Sequence, residues 1–438
     1  MKKTLFYDAL IGPLGEETAP VFLKGDLLVE GDRIAALARH PERLASDAVT
    51  KVVDARHLII MPGLVNTHGH AAMSLLRSYA DDLPLKEWLE QKIWPVEDRL
   101  TSEDVYWGTM LSIVEMLKSG TTTFADMYFF MNQVAEAVAE SGIRAVLSRG
   151  LMDAASSGAE ALREAEELYT RWHGGENGRI SITLGPHAIY TCSADYLRKV
   201  MAVAERTEQQ LQIHLSETAG EVENCYSRHG CSPVELLEKI GFFSYPVIAA
   251  HCVHLSDADI AILAEHGVGV AHNPGSNLKL GSGIAPLARL LAAGVKVGLG
   301  TDGPSSNNNL DMIEEMRLAT LLAKGTAQDP TLVSAATALH LATAGGAAVL
   351  SLEGVGKLEP GYKADLIGIN YDQPHFYPLH DPLANLVYAA RSADVEFVMV
   401  DGQFCVENGA LTRLDEEKIK AEASRCARRL TGKGKIRE

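Results

Sequence analysis

The stretch that decides the fold is residues 59–70, which read IIMPGLVNTHGH. A nearly continuous apolar run ends abruptly at the polar residues Asn66, Thr67, His68 and His70. Apolar runs without alternation are typical of parallel strands whose two faces are both buried. Residues two apart in a strand face the same side, so His68 and His70 can reach one common point.

The same rhythm recurs along the middle of the chain, where a short apolar run ends in a polar residue and a helical stretch follows. The eight runs are residues 59–65, 121–125, 145–147, 180–184, 211–213, 247–250, 268–271 and 295–299. The predicted helices include residues 159–172, 194–208 and 233–240, and a helix that opens at the capping box of Thr101 and Asp104 and closes at Gly120. Eight strand–helix units within about 250 residues predict an α/β fold, a (β/α)8 TIM-type barrel, over residues 61–356.

The two ends of the chain contain short apolar runs separated by turn residues. The predicted strands are residues 5–10, 21–29, 33–38, 52–53 and 58–60 near the start, and 365–369, 397–400 and 403–406 near the end. Asp401-Gly402 predicts a hairpin between the last two. We therefore expect a composite β-sandwich domain built from residues 1–60 and 357–438. Its C-terminal tail, residues 418–437, is expected to be a solvated amphipathic helix with basic residues Arg425, Arg428, Arg429, Lys433 and Lys435.

Charge and cysteine usage exclude several classes of partner. The 438 residues include 40 Lys+Arg and 57 Asp+Glu, a formal net charge of −17 at pH 7. This balance argues against a nucleic-acid backbone or an anionic membrane as partner. No apolar run reaches the roughly 18 residues that suggest a membrane span. The six cysteines include no CxxC pair, which argues against a disulfide framework and favours a reducing cytoplasm.

Six of the eight runs end in or near His or Asp, and in such barrels the chemistry lies where the strands end. The polar residues concerned include His68, His70, His214, His251 and Asp302, with Glu217 just beyond the fifth run. An HxH pair alone is weak evidence, because core or surface histidines produce it about as often. Three imidazoles and a carboxylate at one barrel mouth, however, suit a divalent ion with an open water position.

These motifs resemble those of a known family. PGLVNTHGH, HLSE, the histidine of the sixth run and the aspartate of the eighth resemble the amidohydrolase superfamily, in its cytosine/adenosine-deaminase-like branch. The stretches TLGPHAIYTCS, HLSETAGEVENC, NLKLGSG and GTDGPSSNNNLDM are similar to the 5-methylthioadenosine/S-adenosylhomocysteine deaminases. The resemblance extends over about residues 5–410. It implies hydrolytic deamination of a 5′-modified adenosine to the inosine analogue plus ammonia.

The resemblance also implies a metal site. The implied ligands of one divalent metal, zinc with iron as the alternative, are His68, His70, His214 and Asp302. The fourth run ends in His187, where two-metal members of the superfamily carry a bridging lysine, and this favours a single metal.

The catalytic roles implied by the resemblance fall on Glu217, His251 and Asp302. His251 would contact the water at the metal, and Asp302 would take a proton from that water and pass it to the leaving amine. Glu217 would protonate N1 of the adenine ring. Asp126 and His272 end two further runs, and we assign them no role.

The implied substrate-binding residues are Trp88, Glu97, Arg149, His187, Glu217 and Ser306. Glu97 would accept hydrogen bonds from both ribose hydroxyls, whereas His187 and Ser306 would hold the purine. Arg149 would lie near the 5′ substituent. Homocysteine-binding relatives carry a second arginine, and here only Arg163 lies close to that position. This departure favours 5′-methylthioadenosine over S-adenosylhomocysteine as the substrate.

Two alternatives remain open at this point. The first is a guanine, cytosine or triazine deaminase or a chlorohydrolase of the same fold, which Glu97 and Ser306 argue against because a free base has no ribose. The second is a catalytically inactive binding protein, which would generally have lost metal ligands that are present here. The expected partner is a small nucleoside, and the oligomeric state is left open.

Overall fold

The computed structural model describes residues 2–15, 19–153 and 158–432. The chain begins with strands of a mixed sheet: β1 Lys3–Leu14, β2 Val21–Glu30, β3 Arg33–Arg39, β4 Thr50–Asp54 and β5 Leu58–Pro62. Strands β1, β2 and β3 pair antiparallel in succession, whereas β4 and β5 run parallel to β1. The strands predicted near the start of the chain are therefore confirmed, with slightly longer bounds.

Within the described residues, the centre of the molecule is a sheet of eight parallel strands in sequence order. They are β6 Leu64–Asn66, β7 Thr121–Tyr128, β8 Arg144–Leu151, β9 Ile180–Pro186, β10 Leu211–Leu215, β11 Val247–His251, β12 Gly269–His272 and β13 Lys296–Leu299. The Thr67 N–H donates to the Leu299 carbonyl, which brings the first of these strands against the last. The predicted (β/α)8 barrel is confirmed.

The remaining strands return to the first sheet. They are β14 Leu366–Asn370, β15 Val395–Val400, β16 Gln403–Glu407 and β17 Ala410–Leu411. Asp401 and Gly402 both adopt positive φ, 46° and 69°, as a two-residue hairpin requires. The Phe6 ring stacks on Phe397 with centroids 4.8 Å apart, although β5 and β14 separate their strands within the sheet. The sheet therefore curls over itself, and the predicted β-sandwich from both chain ends is confirmed.

Helices connect and cover the barrel strands. They are α1 Leu85–Trp88, α2 Trp94–Glu97, α3 Ser102–Lys118, α4 Met131–Ser141, α5 Gly158–Trp172, α6 Gly175–Gly178, α7 Ala194–Thr207, α8 Ala219–His229, α9 Pro233–Lys239, α10 Asp257–Glu265, α11 Pro274–Lys279, α12 Leu287–Ala292, α13 Met312–Ala327, α14 Ala335–Leu341, α15 Ala344–Val349, α16 Pro382–Tyr388 and α17 Glu416–Thr431. A π-helical turn, Leu89–Ile93, joins α1 to α2, and short 3-10 turns span Ala71–Leu76, Phe242–Ser244, Pro374–Phe376 and Ser392–Asp394. The predicted capping box of Thr101 and Asp104 opens α3.

One predicted run is divided in the structure. Residues 59–65 form no single strand, because β5 ends at Pro62 and pairs with β14, whereas β6 starts at Leu64 and pairs with β7. The break falls at Gly63, where a Cβ would lie 2.1 Å from the Thr122 hydroxyl. Only glycine allows the chain to pass this close to β7 as it crosses from the sandwich into the barrel. The exact domain boundaries, 60/61 and 356/357, stay a prediction.

The C-terminal tail forms α17, which buries Ile419, Ala423, Cys426 and Leu430 along one face. Arg425 on its other face pairs with Glu103 of α3 at 2.5 Å. The predicted basic residues Lys433 and Lys435 lie outside the described residues. Among the described helices, none is both long and apolar enough to cross a membrane.

Candidate active site

The ends of β6 and β13 are tied together by side chains at the barrel mouth. The Asn66 side-chain Nδ2 donates to the Thr301 hydroxyl at 2.7 Å, and the Thr301 backbone N–H donates back to Asn66 Oδ1 at 3.0 Å. Gly300 permits the two strand ends to approach closely, since a Cβ at this position would lie only 3.0 Å from the backbone nitrogen of His68. This arrangement brings the histidines that follow β6 next to Asp302.

The imidazoles of His68, His70 and His214 converge. Their potential ligand atoms all lie within 4.8 Å of one another, and so do those of His68, His251 and Asp302. The Nε2 atoms of His70 and His214 are 3.3 Å apart. Asp302 Oδ1 lies 3.6 Å from His68 Nε2 and 3.3 Å from His70 Nε2. The four predicted metal ligands are therefore brought together, and His251 adjoins them.

Hydrogen bonds orient the His70 and His214 rings with Nε2 toward the cluster. His70 Nδ1 contacts the Met127 carbonyl at 2.6 Å and His214 Nδ1 contacts the His187 carbonyl at 2.7 Å. A carbonyl oxygen only accepts, so each Nδ1 carries a proton and Nε2 is the nitrogen left for a ligand. Burial lowers the pKa of His70, but the Asp302 carboxylate outweighs it and raises that pKa to about 9, so a metal would displace a proton from this ring. Burial holds the pKa of His68 and of His214 well below the usual value, with the neighbouring imidazoles adding to the effect. Neutral imidazoles are the form that binds a metal.

These residues fit a divalent metal. Both ring nitrogens of His68 are buried and lack a hydrogen-bond partner within the described residues, which would be costly unless a ligand satisfies one of them. Three imidazoles and one carboxylate form a donor set typical of zinc with an open position. Asp302 is oriented for this role, because its Oδ2 accepts from the hydroxyls of Ser276 at 2.6 Å and Ser306 at 2.7 Å. That leaves Oδ1 facing the histidines.

Glu217 lies beside the ligand cluster and is buried. Its Oε1 accepts from the Ser282 hydroxyl at 3.3 Å, and its Oε2 lies 3.9 Å from His251 Nε2. Burial raises the pKa of the Glu217 carboxyl, which favours the protonated form that can donate a proton.

The sequence analysis missed Glu221, which holds this turn in place. Its carboxylate accepts from the Ser216 N–H at 3.0 Å and from the Glu217 N–H at 2.9 Å. Ser216 has a φ of 50°, so the chain turns sharply immediately before Glu217. His251 and Asp302 also adopt positive φ, 72° and 60°. Such backbone strain in non-glycine residues clusters at functional sites.

A cavity opens above the cluster. Five of the six predicted substrate-binding residues line it: Trp88, Glu97, His187, Glu217 and Ser306. Apolar side chains that complete the wall include Leu85, Leu89, Trp94, Phe129, Met152 and Leu280. A flat apolar ring system with a few polar groups matches such a lining.

Glu97 is held by a residue that the sequence analysis did not single out. The Tyr128 hydroxyl donates to Glu97 Oε1 at 2.6 Å, from the end of β7. Burial raises the pKa of the Glu97 carboxyl, whereas this hydrogen bond opposes the shift. Glu97 faces the cavity from one side, and its second oxygen, Oε2, is available to a ligand.

A π-helical turn lies just before Glu97. The Trp94 N–H donates to the Leu89 carbonyl, five residues earlier, where a regular helix would use a spacing of four. The cavity-lining residues Leu85, Leu89, Trp94 and Glu97 are spaced by four, five and three residues, and the five-residue step falls at this turn. Pro95 lacks an N–H and contributes to the departure from a regular helix.

His187 and Ser306 have contacts beyond the cavity. His187 Nδ1 lies 2.9 Å from the Thr191 hydroxyl, and burial, with the charges of His70 and His251, lowers its pKa to about 4. The ring is therefore neutral at physiological pH. The Ser306 hydroxyl contacts Asp302, so in this structure it orients a metal-binding carboxylate as well as lining the cavity.

Arg149 differs from the other predicted substrate residues, because it is absent from the cavity lining. Its Nε donates to Glu164 Oε2 at 2.7 Å. Arg163 lines a separate surface groove with Asp153 and Glu166. The structure thus brings neither arginine into the cavity, and the predicted contact between Arg149 and the 5′ substituent stays a prediction.

Asp126 and His272, to which the sequence analysis assigned no role, are both buried. Asp126 Oδ1 accepts from the Ala71 N–H at 2.7 Å, immediately after His70, so it binds backbone. His272 lies outside both groups of potential metal ligands. His251 Nδ1 lies 2.8 Å from the side-chain oxygen Oδ1 of Asn277, a contact that the sequence analysis did not predict.

The chain is similar to known proteins over nearly its whole length. The amidohydrolase family model matches residues 59–405. The 5-methylthioadenosine/S-adenosylhomocysteine deaminase of Desulforudis audaxviator is 54% identical over 407 residues, 93% of this chain and 95% of that protein. An adenosine deaminase from Xanthomonas campestris with bound zinc superposes with a TM-score of 0.93 and 36% identity, covering 98% and 99% of the two chains. The zinc-complexed atrazine chlorohydrolase of Arthrobacter aurescens superposes with a TM-score of 0.89 and 26% sequence identity. That superposition covers 97% of this chain and 100% of the chlorohydrolase.

Proposed function

Because the chain belongs to the amidohydrolase family, and within it to the 5-methylthioadenosine/S-adenosylhomocysteine deaminases, we propose that it hydrolyses the 6-amino group of a 5′-modified adenosine. The products are the inosine analogue and ammonia. The observation that carries the proposal is that Glu97 lies in the same cavity as Glu217 and Asp302. The Glu97 carboxylate is thus available to bind the ribose, while Glu217 and Asp302 act on the ring.

The proposed metal is a single zinc ion held by His68, His70, His214 and Asp302. When bound, a divalent metal lowers the pKa of water from about 15.7 toward about 7 and so supplies hydroxide at neutral pH. The similarity to zinc-containing structures supports zinc over iron.

The chain's own groups move the protons. Glu217 gives a proton to N1 of the ring as the C6–O bond forms, and Asp302 takes one proton of the attacking water. That proton passes to the 6-amino group, and the C6–N bond breaks to release ammonia. The second proton of the water leaves the C6 hydroxyl as the carbonyl forms and returns to Glu217. This is general acid–base catalysis by two carboxylates in different surroundings. His251, fixed by Asn277, is placed to contact the attacking water.

The substrate is a nucleoside with a small uncharged 5′ group, 5′-methylthioadenosine in preference to S-adenosylhomocysteine. The apolar wall and the absence of both arginines from the cavity lining support this choice. The similarity is greater to deaminases than to the chlorohydrolase, which supports deamination over dechlorination. A cytoplasmic location and the absence of a nucleic-acid partner are further proposals, supported by the net charge of −17 and by six free cysteines.

The Glu97→Ala substitution is expected to separate nucleosides from free bases. Charge-assisted hydrogen bonds from the ribose hydroxyls contribute about 1.5–3 kcal/mol each. We expect kcat/KM for 5′-methylthioadenosine to fall at least about tenfold, since 1.4 kcal/mol is tenfold. The weak activity on free adenine should hardly change. The measurement is the steady-state rate of ammonia release with each compound.

Glu90→Ala serves as the matched control, because Glu90 is an exposed acid in the same helical segment and is absent from the cavity lining. Both rates should stay at the wild-type level in that variant. Equal losses on nucleoside and free base in Glu97→Ala would show that Glu97 supports the fold and does not bind ribose.

A further inference from the structure

Arg149 and Glu164 form an ion pair directly behind the cavity wall. Arg149, at the end of β8, donates from Nε to Glu164 Oε2 on α5 at 2.7 Å. Its guanidinium carbon lies 5.0 Å from the centroid of the Phe129 ring, and its NH1 donates to the Gly150 carbonyl. Phe129 and Gly150 line the cavity, so they separate the guanidinium from the interior of the cavity.

The position of this pair relative to the ribose site follows from the strand register. Arg149 on β8 is the register partner of Tyr128 on β7. The Tyr128 hydroxyl in turn holds Glu97, the proposed ribose-binding residue. Arg149 therefore neighbours the strand position that holds Glu97, and on the proposed function this is the ribose side of the cavity.

The two partners differ in exposure. The Arg149 side chain is 16% exposed, whereas that of Glu164 is 49% exposed. Arg149 is a cation directly behind the cavity wall at this end, and Glu164 neutralises it. A ligand carboxylate would either displace Glu164 from Arg149 or be repelled by the Glu164 carboxylate, and both effects weaken its binding. An uncharged group would be subject to neither effect.

We propose that Glu164 is a specificity-determining residue that occupies Arg149 and so disfavours substrates with an anionic 5′ tail relative to those with an uncharged one. The inference rests on the proposed function, because it assumes that the cavity binds a 5′-modified adenosine. S-adenosylhomocysteine, with its terminal carboxylate, is the disfavoured class, and 5′-methylthioadenosine is the favoured one.

The Glu164→Gln substitution tests the inference. The amide keeps the size and the helical position of the side chain but removes its charge, which frees Arg149. The ratio of kcat/KM for S-adenosylhomocysteine to that for 5′-methylthioadenosine is expected to rise about 3- to 10-fold. Glu160→Gln is the matched control, since Glu160 is an exposed acid one turn earlier on α5. Its ratio should equal that of the wild type.

The double variant Arg149→Met/Glu164→Gln identifies the route of the effect. If Glu164 acts through Arg149, the double variant should not show the rise. An unchanged ratio in Glu164→Gln would overturn the inference. A fall would overturn it as well, because it would show that Glu164 binds the ammonium of the homocysteine tail. Failure of the wild type to deaminate either compound would overturn the proposed function itself, a result distinct from an active enzyme with an unchanged ratio.

Discussion

The His68→Ala variant should purify with almost no bound metal, whereas the wild type should carry about one zinc or iron per chain. His68 is wholly buried, and its ring faces the rings of His70, His214 and His251 at centroid distances of 4.9, 4.8 and 5.5 Å. The substitution removes one of the four proposed metal ligands, at the buried side of the site, and so weakens metal binding. Turnover should fall with the metal, by more than about 10³-fold. Elemental analysis and ammonia release measure the two effects.

The matched control is His272→Ala, because His272 is also a buried histidine at the end of a barrel strand but lies outside both ligand groups. It should retain its metal, and the thermal midpoints of both variants identify any general loss of folding. His214→Ala should behave like His68→Ala. A wild-type stoichiometry near two metals per chain would contradict the single-metal site, and normal metal content in His68→Ala would contradict the ligand assignment.

The Glu217→Gln variant should keep its metal and its fold but lose about 10²–10⁴-fold in kcat. The amide retains the size of the side chain and the contact with Ser282, yet it cannot deliver a proton to N1. The burial that raises the pKa of this carboxyl supports a protonated group at the start of the reaction. The variant is compared with the wild type by kcat, metal content and thermal midpoint.

Glu223→Gln is the control for this second prediction, since Glu223 is an exposed acid on the following helix, α8. It should turn over at the wild-type rate. Near wild-type deamination by Glu217→Gln would show that another group protonates the ring.

The barrel and the metal site could be predicted from the sequence because both leave local patterns. Each buried parallel strand is an apolar run, and site residues stand at or just beyond the ends of such runs, as His214 and His251 do. The HxH pair was predicted from the two-residue period of a strand, although β6 ends at Asn66 and both histidines lie beyond it. The division of residues 59–65 at Gly63 was missed, because an apolar run does not show which of two sheets its halves join.

The residues that the sequence analysis missed act through contacts between distant segments. Glu221 binds the backbone of the catalytic turn, and Tyr128 reaches Glu97 across 31 residues of sequence. The π-helical turn depends on a single shifted hydrogen bond, which a periodic pattern does not reveal. Arg149 lies at the predicted strand end, but its partner Glu164 comes from another element, so the direction of its guanidinium could not be deduced.

Product release across a panel of nucleosides, free bases and a chlorotriazine is the most direct test of the proposed function. The panel comprises 5′-methylthioadenosine, S-adenosylhomocysteine, adenosine, adenine, guanine, cytosine and a chlorotriazine. Each is measured with the metal-loaded wild type by ammonia release, and the chlorotriazine by chloride release as well. We expect stoichiometric ammonia and the inosine analogue from 5′-methylthioadenosine, a lower kcat/KM for S-adenosylhomocysteine, and little activity on free bases, because they leave Glu97 unpaired. A free base or the chlorotriazine turned over faster than every nucleoside would contradict the account.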